Sequence, residues 1–322
     1  MKYSIGRSNL AATIYVPYDC KNNCPFCTSK KEYSKLKMDE RAVKAALRKL
    51  VQMPEIQDIV FTGGEPTANP KLLREMVDIA AGKNIYINTT LPHDNFFECL
   101  DIFNGGTVSG VNISRHCTSF EKDSKCFYDI AEDWAIRGIK VPVKINVVLT
   151  DKTTTTMVQE VIHRWKNHEN VTVCFRKDFR KVTPELLHVL VGDPILDYLV
   201  ANYEYNRHTF CDVCDTVTFT EKISFHRGLE QSSVRIGNNI IVNDIIVFPD
   251  GFVAYDWDRK PIADLDNFMP TSKSGTNRSS SSMPSQPYVG SCGRGGCGSV
   301  VNYSTPRYAP VLGTCGGSGG RC

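Results

Sequence analysis

The sequence predicts an α/β fold built on a parallel β-sheet, and three observations lead to this prediction. Apolar strand-like segments and amphipathic helix-like segments alternate six times between residues 12 and 175, which is typical of parallel strands joined by crossover helices. The 322 residues are 41% hydrophobic and 23% charged, a composition that allows an ordinary globular core. A cysteine-rich loop directly follows the first strand, where parallel α/β folds carry functional groups.

The individual elements follow from periodicity and from capping residues. Asp39 is suited to cap a helix through Val51, in which Ala42, Ala46 and Leu50 recur at helical spacing. The predicted strands are 12–16, 58–61, 84–88, 109–114, 141–149 and 170–175. The predicted helices are 39–51, 70–81, 94–103, 125–137 and 156–167, followed by 183–191 and 194–203.

The loop after the first strand contains Cys20, Cys24 and Cys27 in a C-x3-C-x2-C pattern. Three thiolates can hold a [4Fe-4S] cluster and leave its fourth iron without a protein ligand. Zinc is an alternative, but a structural zinc site is closed by four ligands, and the first fifty residues offer no further cysteine or histidine. A disulfide is the other alternative, although Met1–Ser4 does not resemble a secretory signal, so we expect a reducing, cytoplasmic environment.

The cysteine loop, with Phe26 directly before its third cysteine, resembles the signature of the radical S-adenosylmethionine (radical SAM) enzymes. The resemblance implies that SAM chelates the open iron and that one electron splits SAM into methionine and a 5'-deoxyadenosyl radical, which takes a hydrogen atom from a substrate. It also implies a partial (β/α)6 TIM-like barrel, which the six repeats match. A reductant such as flavodoxin or ferredoxin is then an expected partner.

A second motif, Thr62-Gly63-Gly64-Glu65-Pro66, stands at the carboxyl end of the second predicted strand. Glycines here are compatible with a mere strand-to-helix turn. One strand after the cysteine loop, however, the motif resembles the GGE motif of the radical SAM family. The resemblance implies that Gly63, Gly64 and Glu65 bind the amino group of SAM.

Three more residues match the family more loosely. Ser114 and Arg115 end the fourth strand where radical SAM enzymes place groups that contact the ribose or carboxylate of SAM. Asn146, in the fifth strand, resembles an asparagine that some members direct at the same ligand. Each could equally be a polar group satisfied at the edge of the barrel.

Two cysteines lie at or near strand ends that face the proposed site. Cys117 and Cys174 are therefore candidates for returning a hydrogen atom to a substrate radical, whereas the ordinary role of such a thiol is to pack as a small apolar side chain. Arg176 and Lys177, at the end of the sixth strand, are available to bind a phosphate or another anionic group.

The region after the predicted barrel is rich in strand-forming residues and contains a turn at Phe248–Phe252, which we interpret as a small β-meander or hairpin that caps the barrel. With Cys211 and Cys214, it resembles a degenerate SPASM or twitch domain, since Asp256 and Trp257 stand where that domain has a cysteine. The resemblance implies an auxiliary iron-sulfur cluster. Its remaining ligands would come from Cys292, Cys297, Cys315 or Cys322.

These observations divide the chain into four parts. They are a radical SAM core at 1–180, a helical and β-hairpin extension at 181–270, a serine-rich linker at 271–286 and a glycine- and cysteine-rich tail at 287–322. The tail is open to three interpretations: it ligates a cluster together with the cysteine pair of the extension, it is a disordered appendage, or it is a segment that is itself bound or modified.

Composition limits the functions to consider. The net charge is +3 and no apolar run approaches the ~20 residues of a membrane helix, so neither broad attraction to nucleic acid nor membrane insertion is expected. The leading hypothesis is a radical SAM enzyme that acts on a peptide or protein. The alternatives are an enzyme of the same family that acts on a nucleotide or other small molecule, and a non-catalytic iron-sulfur or zinc-binding protein.

Overall fold

The computed structural model describes residues 2–5, 10–16, 20, 24–27, 35–91, 95–116, 136–178, 193–204, 216–219, 221–226 and 232–262. Cys117, Cys211 and Cys214, most of the predicted helix 125–137, the predicted helix 183–191, the linker and the tail lie outside the described residues. No helix in the described part of the chain is long and apolar enough to cross a membrane.

Thirteen strands and five helices form the described structure. The strands are β1 (Lys2–Ile5), β2 (Leu10–Val16), β3 (Ile56–Gly63), β4 (Asn84–Thr89), β5 (Val108–Ser114), β6 (Val143–Leu149), β7 (Val171–Lys177), β8 (Thr216–Thr218), β9 (Ile223–His226), β10 (Ser233–Ile236), β11 (Asn239–Val242), β12 (Asp244–Val247) and β13 (Val253–Ala254). The helices are α1 (Glu40–Val51), α2 (Pro70–Ile79), α3 (Phe96–Asn104), α4 (Thr155–Trp165) and α5 (Pro194–Asn202), and a 3-10 turn spans Pro66–Ala68.

Capping residues explain where the helices begin. The side chain of Asp39 accepts a hydrogen bond from the Ala42 N–H at 3.0 Å, and Asn69 accepts one from the Leu72 N–H at 3.1 Å. Asp193 starts α5 in the same way. Each cap satisfies an N–H group that has no partner within the helix.

The main sheet has ten strands in the order β13-β12-β2-β3-β4-β5-β6-β7-β9-β8. Strands β2 to β7 follow one another in chain order, and each is parallel to the one before it. These are the six predicted strands, so the alternation read from the sequence is confirmed as a large, mostly parallel sheet. Right-handed crossovers between neighbouring strands place the connecting helices on one face of such a sheet.

Four strands of the C-terminal region, β8, β9, β12 and β13, join the main sheet and do not form the separate cap that the sequence suggested. Strand β9 adds to β7 in parallel, and β12 adds to β2 in parallel. The described sheet therefore contains eight parallel strands, with short antiparallel strands β8 and β13 outside them. The apolar segment Ile245–Val247 is fully buried, as expected for a strand covered on both faces.

A second, smaller sheet has the order β1-β11-β10. Strand β1 is parallel to β11, and β10 is antiparallel to it. The start of the described chain is thus held by strands that lie more than 200 residues later in the sequence.

Helix α4 identifies the two faces of the sheet. Its side chains Ile162 and Trp165 line a groove together with Val171 and Val173 of β7 and Ile223 of β9. Side chains alternate between the two faces along a strand. We call the face opposite to the helices the inner face.

The hairpin formed by β12 and β13 holds the beginning of the cysteine loop. The ring of Tyr15, at the end of β2, stacks on Phe248 at a centroid distance of 6.0 Å and meets Trp257 edge-on at 6.0 Å. The guanidinium of Arg259 lies 4.7 Å from the Phe248 ring centroid and forms an ion pair with Asp250 at 2.8 Å.

The same hairpin holds the segment that leads out of the loop into α1. The Asp39 N–H donates to the Pro249 carbonyl at 2.9 Å. Gly251 has φ +79° and packs so closely on α1 that an added Cβ would lie 2.3 Å from the Cβ of Ala42. Both flanks of the cysteine loop therefore contact the C-terminal hairpin.

We expect Gly251→Ala to reduce the free energy of unfolding by about 2–5 kcal/mol, since a left-handed residue costs about 1–2 kcal/mol and a steric overlap about 1–3 kcal/mol. The matched control is Gly106→Ala, because Gly106 has φ +87° and open space around its Cβ position. The control should lose only the backbone part, about 1–2 kcal/mol. Urea unfolding followed by circular dichroism measures both, and equal losses would contradict the close contact with α1.

Candidate functional site

The three cysteines of the loop lie beyond the carboxyl end of β2. Cys20, Cys24 and Cys27 are half-buried and form no disulfide with one another. The Cys27 N–H donates to the Cys24 carbonyl at 3.0 Å, which forms a tight turn around Pro25 and Phe26. Among the described residues no group of three or more histidine, cysteine or acidic side chains has the spacing of a metal site.

The donor set nevertheless fits an iron-sulfur cluster chemically. Three thiols on one short loop can ligate three irons of such a cluster. Metal binding commonly completes the folding of its own ligand loop. Ligation of a cluster would therefore require the loop to close so that the three sulfurs converge.

The cysteine loop contacts the end of β5 through an aromatic pair. The ring of Phe26 meets the imidazole of His116 edge-on at a centroid distance of 4.8 Å. The Nδ1 atom of His116 accepts a hydrogen bond from the Val148 N–H at 3.0 Å. Burial, aided by the charge of Arg115, lowers the pKa of His116 to about 3, so the imidazole is neutral and anchors Phe26 to β5 and β6.

Gly63 brings the end of β3 against the start of the cysteine loop. It has φ +120°, and an added Cβ would lie 3.0 Å from both the backbone nitrogen and the backbone oxygen of Val16. Only glycine combines this backbone conformation with such a close approach. Gly64 continues the bend, so the two glycines form a half-buried backbone turn next to the start of the loop.

Glu65 is buried, with 4% of its surface exposed, and it accepts five hydrogen bonds. Its Oε1 atom accepts from the Thr67 N–H at 3.2 Å, from the Thr67 hydroxyl at 2.7 Å and from the Thr89 hydroxyl at 2.6 Å. Its Oε2 atom accepts from the Thr90 N–H at 2.8 Å and from the Thr90 hydroxyl at 2.6 Å. The carboxylate thus joins the ends of β3 and β4.

Arg115 extends this network to β5. Its guanidinium is buried, and Nη1 donates to the Thr90 carbonyl and, at 2.8 Å, to the Ser114 carbonyl. Thr90 therefore connects the carboxylate of Glu65 to the guanidinium of Arg115. Both side chains are held in the edge of the sheet, and the predicted contacts of Glu65 and Arg115 with SAM stay predictions.

Ser114, Asn146 and Cys174 lie side by side in register on β5, β6 and β7. Residues in register on parallel strands share a face, and Cys174 alternates with the helix-facing Val173, so all three belong to the inner face. Cys174 is buried, and the Oδ1 atom of Asn146 is buried without a hydrogen-bond partner in the described part of the chain. The structure thus brings together three residues that the sequence selected separately.

Some residues of the site were missed by sequence reasoning. Thr89 and Thr90 follow β4 as polar residues at a strand end, a position that should have selected them. His116 stands next to Arg115 and was ambiguous by residue type. Ser224 of β9 gave no signal, because nothing in the sequence indicated that β9 would join the main sheet.

Part of the chain is similar to one known protein family. The family model of the Radical SAM superfamily matches residues 14–164. An uncharacterised protein of Methanocaldococcus jannaschii is 26% identical over 145 residues, which cover 41% of this chain and 50% of the relative. The chain therefore spans about half the length of that curated relative.

Two crystal structures of SuiB from Streptococcus suis resemble the fold. The structure bound to S-adenosylmethionine matches with a TM-score of 0.52 and 11% identity, covering 80% of this chain and 62% of SuiB. The structure bound to the precursor peptide SuiA matches with a TM-score of 0.42 and 14% identity, covering 53% and 40%. The first likeness supports the fold, and the second is too weak to support an argument.

We expect Glu65→Gln to reduce the free energy of unfolding by about 1–3 kcal/mol, because the amide has one acceptor oxygen and its NH2 group leaves either the Thr67 N–H or the Thr90 N–H unpaired. Glu160→Gln on the exposed surface of α4 is the control and should change stability by less than about 0.5 kcal/mol. Urea unfolding compares the two variants. A Glu65→Gln protein as stable as the control would show that the five hydrogen bonds do not fix the strand ends.

Two substitutions of His116 separate its hydrogen bond from its ring contact. His116→Asn can keep an acceptor for Val148 but loses an aromatic contact of about 0.5–1.5 kcal/mol with Phe26. The alkylation rates of Cys24 and Cys27 in cluster-free protein should then rise about 2- to 10-fold, following the loop-opening equilibrium.

His116→Phe should give the opposite result. The ring contact with Phe26 is kept, but the buried Val148 N–H loses its acceptor, which costs about 1–3 kcal/mol of global stability. Alkylation should be unchanged under native conditions. Equal alkylation rates in both variants would show that the histidine does not hold the cysteine loop.

Proposed function

We propose that this protein is an enzyme that cleaves SAM reductively and takes a hydrogen atom from a substrate, because residues 14–164 match the family model of the Radical SAM superfamily. The observation that carries the proposal is the position of three cysteines between β2 and α1, next to a double-glycine turn that lies close to Val16. A protein that only stores iron has no need for that turn.

The proposed ligands of a [4Fe-4S] cluster are Cys20, Cys24 and Cys27. When bound, the cluster and SAM supply a 5'-deoxyadenosyl radical. The three thiolates leave one coordination position for SAM, and the contacts of Phe26 and Tyr15 orient the loop that carries them.

The proposed SAM contacts are Gly63, Gly64, Glu65, Ser114, Arg115 and Asn146. For the glycines, support comes from the close approach of the turn to Val16, at the start of the cysteine loop. For Ser114 and Asn146, support comes from their adjacent positions on the inner face. Glu65 and Arg115 act first by positioning, since their hydrogen bonds join the ends of β3, β4 and β5.

Cys174 and Cys117 remain the proposed donors of a hydrogen atom to a substrate radical. Cys174 suits this role because its thiol is buried on the inner face beside Asn146. A reductant such as flavodoxin or ferredoxin would supply the electron, and a reducing compartment such as the cytoplasm would preserve the thiols.

The proposed substrate is a peptide or a protein. Support comes from the C-terminal region, whose Phe248–Phe252 turn resembles that of peptide-modifying members of the family. We propose the same four-part division of the chain, and an auxiliary cluster on Cys211 and Cys214 with tail cysteines. A nucleotide or another small molecule is the alternative substrate, and a non-catalytic iron-sulfur protein is the alternative of a different class.

Replacing Cys24 by alanine should abolish the formation of 5'-deoxyadenosine from SAM and dithionite under anaerobic conditions, because two thiolates cannot hold the cluster. The N-terminal iron, about four atoms per chain, should fall with it. The control is Cys99→Ala: Cys99 packs in the core on α3, and burial raises the pKa of its thiol to about 12.

The control variant should keep both iron and SAM cleavage. Persistent cleavage in Cys24→Ala would refute the assignment of the cluster to this loop. Unaltered protein that binds iron but yields no 5'-deoxyadenosine would favour the non-catalytic carrier.

A further inference from the structure

Strands β7 and β9 lie beyond the residues that match the family model, and their inner face is polar. Cys174 of β7 is in register with Asn146 of β6 on one side and with Ser224 of β9 on the other. Helix α4 covers the opposite face at Val173 and Ile223. The three side chains therefore form one row across three parallel strands on the inner face.

This row lacks internal hydrogen bonds. Ser224 is 5% exposed and Cys174 is 3% exposed, and neither side chain has a hydrogen-bond partner in the described part of the chain. The same holds for the buried Oδ1 atom of Asn146. Buried polar groups in native proteins are nearly always hydrogen-bonded, so the unsatisfied Oδ1 atom of Asn146 in this row indicates a polar ligand on the inner face.

Arg176 stands two residues after Cys174 and therefore points to the same face. It is half-buried, and its guanidinium forms no ion pair or hydrogen bond with the residues that the structure describes. Lys177, the next residue, points the other way and pairs with Asp193. The two cations that the sequence grouped together are thus separated, and only Arg176 belongs to the inner face.

The chemistry of this group favours an oxyanion. A guanidinium offers several N–H donors in one plane, which match the two oxygens of a carboxylate or the oxygens of a phosphate. The hydroxyl of Ser224 can donate a further hydrogen bond without adding charge. None of the row residues Asn146, Cys174 and Ser224 carries a carboxylate that could compete for the cation.

We infer that Arg176 and Ser224 form a subsite for a carboxylate or phosphate group of the substrate, a conclusion that rests on the proposed function. Cys174 is next to Ser224 across the strands and two residues before Arg176 on β7, so an anionic group bound there is held close to the proposed hydrogen donor. The substrate class is therefore an anionic molecule, and for a peptide the recognised group is an acidic side chain or a terminal carboxylate.

Arginine modification tests this subsite without requiring turnover. Cluster-loaded full-length protein is treated with phenylglyoxal under anaerobic conditions, and labelling of Arg176 is measured by peptide mass spectrometry. The arms contain acetate, inorganic phosphate, SAM or chloride at equal ionic strength. Arg48, which is exposed on α1, is the internal control.

We expect acetate or phosphate to slow the labelling of Arg176 about threefold at twice the dissociation constant of the anion, with Arg48 unaffected. Protection by acetate would identify a carboxylate site, and stronger protection by phosphate a phosphate site. Ser224→Ala should weaken the protection. If the anions protected Arg176 equally well in that variant, Ser224 and therefore β9 would not be part of the subsite.

Labelling of Arg176 that no anion slows relative to chloride would overturn the inference, and so would protection by SAM alone, which would assign the guanidinium to the cofactor. A protein that produces 5'-deoxyadenosine but shows no protection would refute only the subsite. Loss of 5'-deoxyadenosine with intact protection would refute only the proposed function.

Discussion

The buried carboxylate of Glu65 is the constraint on which the edge of the sheet depends. A carboxylate removed from water costs several kcal/mol unless hydrogen bonds satisfy its oxygens, and here Thr67, Thr89 and Thr90 supply five. Because these donors come from the turn after β3 and from the end of β4, the charge is tolerated only when both strand ends are in place. Arg115 extends the same requirement to β5 through the Thr90 carbonyl.

The cysteine loop itself gains its position from its neighbours. On one side, Gly63 approaches the backbone of Val16 and the C-terminal hairpin packs on Tyr15. On the other side, Phe26 rests on His116, whose ring is fixed by Val148. This arrangement fixes where the loop lies while leaving the sulfurs to converge when a cluster binds, as expected for a ligand set whose final geometry depends on the metal.

Sequence patterns predicted correctly the elements whose formation depends on neighbouring residues in the chain. The alternation in Val143–Leu149 and the caps Asp39 and Asn69 specify a strand and two helix starts without reference to distant residues. Pairing partners are different, because a short apolar strand such as Ile245–Val247 fits any uncovered edge, and its position beside β2 depends on the whole sheet. For the same reason the Gly-Gly-Glu motif identified Glu65 but did not predict the partners of its carboxylate, because Thr89 and Thr90 come from another strand.

The residues at the ends of β2 to β5 differ from those on the inner face of β7 and β9 in how they are bonded to neighbouring side chains. Strands β2 to β5 hold the turn, the loop and the charged network, so their strand-end residues are committed to one another and change only together. At β7 and β9 the row of Asn146, Cys174 and Ser224 lacks such internal bonds, and Arg176 is uncommitted. Side chains that bind no neighbour can be exchanged without disturbing the sheet. Under the proposed function, the inner face of β7 and β9 is therefore where contacts specific to the substrate would be placed.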